Sequence, residues 1–129
     1  MVVAYASKHI PYASSSLYGN ARVFKWNEDG GCWKIRGNGN GELGGEFKGE
    51  SISLSKNGDV VAVGSPKIDG KPPGYGRVRV YEWNGGQDRW MQQGGDIIGD
   101  EITDYTGSPV SLSTDGTVVA IGALNNDGD

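Results

Sequence analysis

Short alternations of apolar and polar residues dominate the chain, and they recur at a fixed interval. Glu50-Ser-Ile52-Ser-Leu54-Ser55 alternates with the period of two that marks a half-buried strand. Lys56-Asn57-Gly58-Asp59 follows, a pair of turn formers predicting a tight hairpin with positive backbone angles. Val60-Val-Ala-Val63-Gly64 is a continuous β-branched run, as expected of a strand buried on both sides. A Gly- and Pro-rich loop, Ser65 to Gly76, leads to Arg77-Val78-Arg-Val80-Tyr-Glu-Trp83, which alternates again. Asn84-Gly85-Gly86 then turns into Arg89-Trp90-Met91-Gln-Gln93. These four segments predict four antiparallel strands of about five residues each.

The same series returns along the chain. Val23-Phe-Lys-Trp26-Asn27 reappears as Val80-Tyr-Glu-Trp83-Asn84, 57 residues later, and Ser53-Leu-Ser55-Lys-Asn-Gly58 as Ser111-Leu-Ser113-Thr-Asp-Gly116, 58 residues later. Further strands are expected at Val3–Ser7, Arg22–Trp26, Trp33–Arg36, Val110–Ser113 and Val118–Gly122, nine in all. A period of this size means that each unit is one supersecondary module unable to bury its own faces. The chain thus reads as a single repeat array over residues 1–129. Residues 1–19 close a preceding repeat, 20–76 form a first repeat, and 77–129 form a second, incomplete one. The predicted class is all-β, a β-propeller-type array of four-stranded antiparallel blades, about two blades plus one strand per chain.

Composition supports this class. Glycine supplies 23 of 129 residues, against a usual share of about 7%. That density suits tight turns and disfavours helices. The net charge of −4 disfavours a nucleic-acid partner, since phosphate neutralisation needs a basic face. No run of 18 apolar residues predicts a membrane span. The opening Met-Val-Val-Ala-Tyr-Ala lacks the basic and apolar regions of a signal peptide. A single cysteine, Cys32, excludes an intrachain disulfide.

The pattern Val-Ser-Leu-Ser-x-Asp-Gly-x-x-Val-Ala-x-Gly-Ala, followed in register by Arg-Val-x-Val-Tyr-x-Trp-Asn-Gly and a further Trp, resembles the FG-GAP-type repeats of integrin α-chains. WD-repeat blades are the second choice. The resemblance runs from Val2 to Gly128 and implies a propeller of non-enzymatic, adhesive or scaffolding character, with an extracellular or cell-surface setting. Integrin-type repeats often carry a calcium loop, but the matching positions here read Ser111, Ser113, Asp115, Gly116 and Val119, and Ser53, Ser55, Asn57, Gly58 and Val61. Calcium needs six to eight oxygens, mostly carboxylate. Hairpin turns held by serine and Asx hydrogen bonds are therefore expected, with no metal and no cofactor.

Several positions are candidates for binding. Glu42 aligns with Asp100 and Glu46 with Asp104, in loops joining successive units, and such acids could ring one face. Phe47, Tyr75 and Tyr105 fall in loops or at strand starts, where ligand-facing aromatics are found. Trp26, Trp33, Trp83 and Trp90 repeat with the strands and are expected to pack between blades. An aromatic platform for sugar rings is the sharper alternative, giving a carbohydrate-binding lectin formed as a homo-oligomeric propeller. His9 has no Cys or His companions, and no Gly-x-Ser-x-Gly elbow occurs, so no catalytic residue is assigned. Two blades should not stand alone. Either copies of the chain close a ring, three copies giving six blades, or further blades of a longer chain complete it.

Overall fold

The computed structural model describes residues 1–7, 20–37, 43, 50–65, 75–101 and 104–124. They form ten strands and no helix, so no helix is long and apolar enough to cross a membrane. The first sheet is β1 (Val2–Ser7), β2 (Asn20–Asn27) and β3 (Cys32–Ile35), in that order. The second runs β4 (Ser51–Leu54), β5 (Val60–Ser65), β6 (Arg77–Asn84) and β7 (Arg89–Gln92), with β8 (Ile97–Ile98) also on β6. The third pairs β9 (Val110–Leu112) with β10 (Val119–Ile121). Every strand pair is antiparallel.

Nine of these strands are the expected ones, and β8 is the addition. Its cause is local. β7 covers only Tyr81–Asn84 of β6, which leaves the start of that strand open. The chain steps across at Gly94, whose φ of 67° suits glycine, and Ile98 and Ile97 then pair with Arg77 and Val78. The Asn-Gly hairpin also differs from expectation. Only Gly58 and Gly116 take positive φ, 75° and 77°, while Asn57 does not. Asn57 serves through its side chain, as described below.

Register shows that the repeat is structural. Trp26 lies opposite Trp33 and Trp83 opposite Trp90, while β1 meets β2 and β5 meets β6 at equivalent positions. The packing between sheets repeats as well. Ala21, Val23 and Leu43 of the first sheet side meet Val61, Val63 and Tyr81 of the second in one core. The second sheet's Ala62 and Val78, with Val80, meet Val110, Leu112, Val119 and Ile121 of the third in another. Val78 and Val80 stand where Ala21 and Val23 stand one period earlier, and Val119 and Ile121 where Val61 and Val63 do. Burying each valine, leucine or isoleucine side chain contributes about 1.5–3 kcal/mol, so alternate faces of β5 and β6 hold successive sheets together. The repeat unit 20–76 itself straddles two sheets, taking β2 and β3 from one and β4 and β5 from the next.

Candidate functional site

The sheet junctions hold the polar and aromatic groups that the sequence singles out. Trp26 and Trp33 meet edge to face, with ring centroids 5.3 Å apart and planes at 70°. Trp83 and Trp90 repeat this at 5.3 Å and 65°. Each pair therefore spans two neighbouring strands of one sheet, and the second pair also reaches the first sheet, through Arg36 and through Trp90, which packs on the shared core. The Arg36 guanidinium carbon lies 4.6 Å from the Trp83 ring centre and 5.5 Å from that of Trp90. Trp90 Nε1 donates to the Arg36 carbonyl at 2.9 Å. The same guanidinium donates to the Gly58 carbonyl and to the Asp59 carboxylate. A cation shared between π faces and a carboxylate occupies a site of this kind fully.

Trp33 has no such partner among the described residues and is 39% exposed. Where Asp59 O accepts from Trp83 N at 2.8 Å, Met1 O accepts from Trp26 N at 2.9 Å. The first pair thus keeps the backbone geometry without the carboxylate.

The loop candidates gather at the junction of the second and third sheets. Gly76 bridges to Thr106 in parallel fashion, and Gly99 N donates to Gly76 O at 3.4 Å. This brings the backbone of Tyr75 beside that of Tyr105, with Asp100 exposed nearby. A Cβ on Gly76 would fall 2.1 Å from the Thr106 carbonyl oxygen, so this approach requires glycine. Asp104 is 2% exposed and turned inward. Its Oδ2 accepts from Glu101 N at 2.9 Å, which makes it a loop-shaping acid rather than an open ligand. Tyr105 holds a φ of 50°, sparsely populated for an aromatic residue. Glu42, Glu46 and Phe47 lie outside the described residues.

Side-chain hydrogen bonds close each hairpin turn, and Lys56 N donates to Thr114 O at 2.9 Å between the two. Ser55 Oγ donates to Asn57 Oδ1 at 2.8 Å, and Oδ1 accepts from Asp59 N at 3.1 Å. Ser113 Oγ donates to Asp115 Oδ1 at 2.6 Å, which also accepts from Thr117 N and Oγ1. These donors hold the Asp115 carboxyl down to about 2, the serine hydroxyl first among them. Among the described residues no three His, Cys, Asp or Glu side chains gather as metal ligands.

Two features carry no clear mark in the sequence. One is Asp96, whose Oδ1 accepts from Arg79 Nε at 2.7 Å and Oδ2 from Arg79 Nη2 at 3.0 Å. Arg77 Nη1 and Gln92 Nε2 add bonds at 3.3 and 2.9 Å. The Arg-x-Arg spacing on an alternating strand places both cations on one face, which was the available signal. The other is a cleft of about 470 Å³ between the second and third sheets, with Val60, Val80, Leu112 and Val119 as its apolar lining and Gln93 and Thr117 at its rim. Compared with known protein families, curated proteins and solved structures, the chain matches none.

Proposed function

We propose that the protein is a non-enzymatic binding or scaffolding module whose sheets act as blades of a propeller-type assembly. The observation that carries this reading is the repeated sheet junction, in which equivalent positions one period apart form both hydrophobic cores. A structure built by repetition presents a surface of loops rather than one asymmetric pocket. The junction loop with Tyr75, Asp100 and Tyr105 is the surface best placed to bind, because its glycine-locked backbone needs no ordering when a ligand arrives. A protein ligand fits this mixed aromatic and acidic rim, since tyrosine is enriched in such interfaces.

Binding to an array of surface proteins, compared between the unmodified chain and a Tyr75→Ala/Tyr105→Ala variant, tests this. A loss of binding of tenfold or more in the variant supports it. Equal binding, or turnover of any bound substrate, would overturn it. The lectin alternative has one observation in its favour, the half-exposed Trp26–Trp33 pair. A glycan array giving signals that Trp33→Ala abolishes would favour that alternative.

A further inference from the structure

The third sheet and the first complement each other strand for strand. Val118 with Val119-Ala120-Ile121 of β10, and Val2-Val3-Ala4-Tyr5 of β1, share Val-Val-Ala and hold the same place in the repeat. In the first sheet, Val3 lies opposite Phe24 and Tyr5 opposite Arg22 of β2. In the second sheet the equivalent strand β5 sets Val61 opposite Tyr81 and Val63 opposite Arg79 of β6. Among the described residues β10 pairs with β9 on one side only. Ser113 N donates to Val118 O and Gly122 N to Pro109 O, so by strand alternation the amides of Val119 and Ile121 aim away from β9.

The exposed apolar groups fall where a next sheet would sit. Val2 and Ala4 of β1 pack against the second sheet's core, yet their counterparts Val118 and Ala120 are exposed, Val118 by 63%. Ser51 and Ser53 of β4 accept from Val110 N and Leu112 N of β9, each at 2.9 Å. Their counterpart Ser111 on β9 is exposed. In β3 of the first sheet Trp33 and Ile35 are exposed at 39% and 40%. The cleft lined by Val60, Val80, Leu112 and Val119 lies one period on from the junction that Tyr81 and Trp90 fill in the first core.

We propose that a second copy of this chain docks head to tail, with β10 of one copy replacing β1 on β2 of the next, so that β1 gives up the edge it holds in the single chain. The joint sheet is then β9–β10 of one copy followed by β2–β3 of the other, with Val119 opposite Phe24. Phe24 and Trp33 enter the cleft as Tyr81 and Trp90 enter the first core. Val118, Ala120 and Ser111 meet the second sheet of the next copy as Val2, Ala4 and Ser53 meet theirs. Strand addition of this kind satisfies the open edge with main-chain bonds and sets its register by the side chains. Each copy contributes two complete sheets, so rings of two to four copies fall inside the roughly 4–8 blades of propellers.

The proposal rests on reading the sheets as blades, and solution mass tests it apart from binding. Light scattering on the unmodified chain is expected to give two to four chain masses. Val118→Asp, which places a charge in the new junction, is expected to return one chain mass with the β-sheet circular dichroism kept. A single-chain mass for the unmodified protein, or an unchanged multiple for Val118→Asp, would overturn the docking. Should the variant not fold, hydrogen exchange on the unmodified chain decides. Protection of the Val119 and Ile121 amides that rises with protein concentration supports the proposal, and exchange independent of concentration overturns it. Either adverse result leaves the binding reading standing on its own tyrosine variants.

Discussion

Arg36 lies against Trp83, its guanidinium carbon 4.6 Å from the ring centre, and the two residues come from successive sheets. The stem of Arg36 leaves the end of β3, and its head closes over the indole pair of β6 and β7 while bonding to the hairpin at Gly58 and Asp59. One side chain therefore links the β4–β5 hairpin and strands β6 and β7 of the second sheet to the first. Its side chain is only 11% exposed, so the ion pair is weakly screened on the Arg36 side even though Asp59 is open to solvent.

Removing that head should loosen the first junction. Arg36→Ala gives up two charge-assisted hydrogen bonds and a cation–π contact, a loss of about 2–3 kcal/mol after allowing for the exposed carboxylate. Arg36→Lys keeps the charge without the planar fork, and should recover less than half. Urea unfolding followed by tryptophan fluorescence measures both. Equal midpoints for Arg36→Ala and the unmodified chain would show that the junction does not depend on Arg36.

Close backbone approach makes Gly64 the more sensitive position. A Cβ there would lie 1.9 Å from the Gly107 carbonyl oxygen, in a strand whose residues Val61, Val63 and Ser65 are buried. Backbone cannot yield as a flexible side chain can, so Gly64→Ala should cost about 3 kcal/mol or more. Gly95→Ala is the control, since nothing lies within 4 Å and no positive φ opposes it. That variant should be neutral or slightly stabilising. Comparing the two melting temperatures checks the contrast.

Acid should weaken the cluster around Asp96. Its carboxyl is held below the ordinary 3.8 mainly by the hydrogen bonds from Arg79, and then by that from Gln92. A folded-state value below the unfolded one means that the contribution is present above the ordinary carboxylate range and is lost as pH falls through it. Asp96→Asn should therefore lower stability at pH 7 by about 1–2 kcal/mol, discounted for partial exposure, and by less at acid pH. Stability curves at the two ends of this range that stay parallel would contradict the assignment.

Much of this fold was legible because strand alternation and the 57–58-residue period agree with each other. Val60–Gly64 read as a buried strand and is one, whereas the repeating tryptophans, expected to pack between blades, face each other across neighbouring strands of one sheet as Trp26/Trp33 and Trp83/Trp90. The partner of an aromatic pair was not legible. Arg36 is 54 residues from Trp90, and no local pattern ties them. β8 escaped notice because two isoleucines after Gly94-Gly95 form too short a segment for periodicity to register. The inward turn of Asp104 was hidden for a similar reason, since alignment with Glu46 marks a shared loop position and says nothing about which way a carboxylate faces.

The two Ser-x-Asx-Gly hairpins form a natural pair for testing what a carboxylate adds to a turn. Asn57 and Asp115 accept the same two kinds of donor, a serine hydroxyl two residues back and a backbone N–H two residues ahead. Thr117 Oγ1 adds a third bond only to Asp115. The amide of Asn57 has no proton to gain, whereas the Asp115 carboxylate, at about 2, must take one up when acid breaks its turn. Its stabilisation is therefore complete above the ordinary 3.8 and fades as pH falls toward 2. Asp115→Asn should leave the melting temperature at pH 7 close to that of the unmodified chain and flatten the decline between pH 4 and pH 2. Asp115→Ala should lower the melting temperature throughout, because Ser113 Oγ and Thr117 N both lose their acceptor. Melts at pH 2, 3, 4 and 7 separate the three proteins, and an Asn variant as acid-sensitive as the unmodified chain would assign the titration to another group.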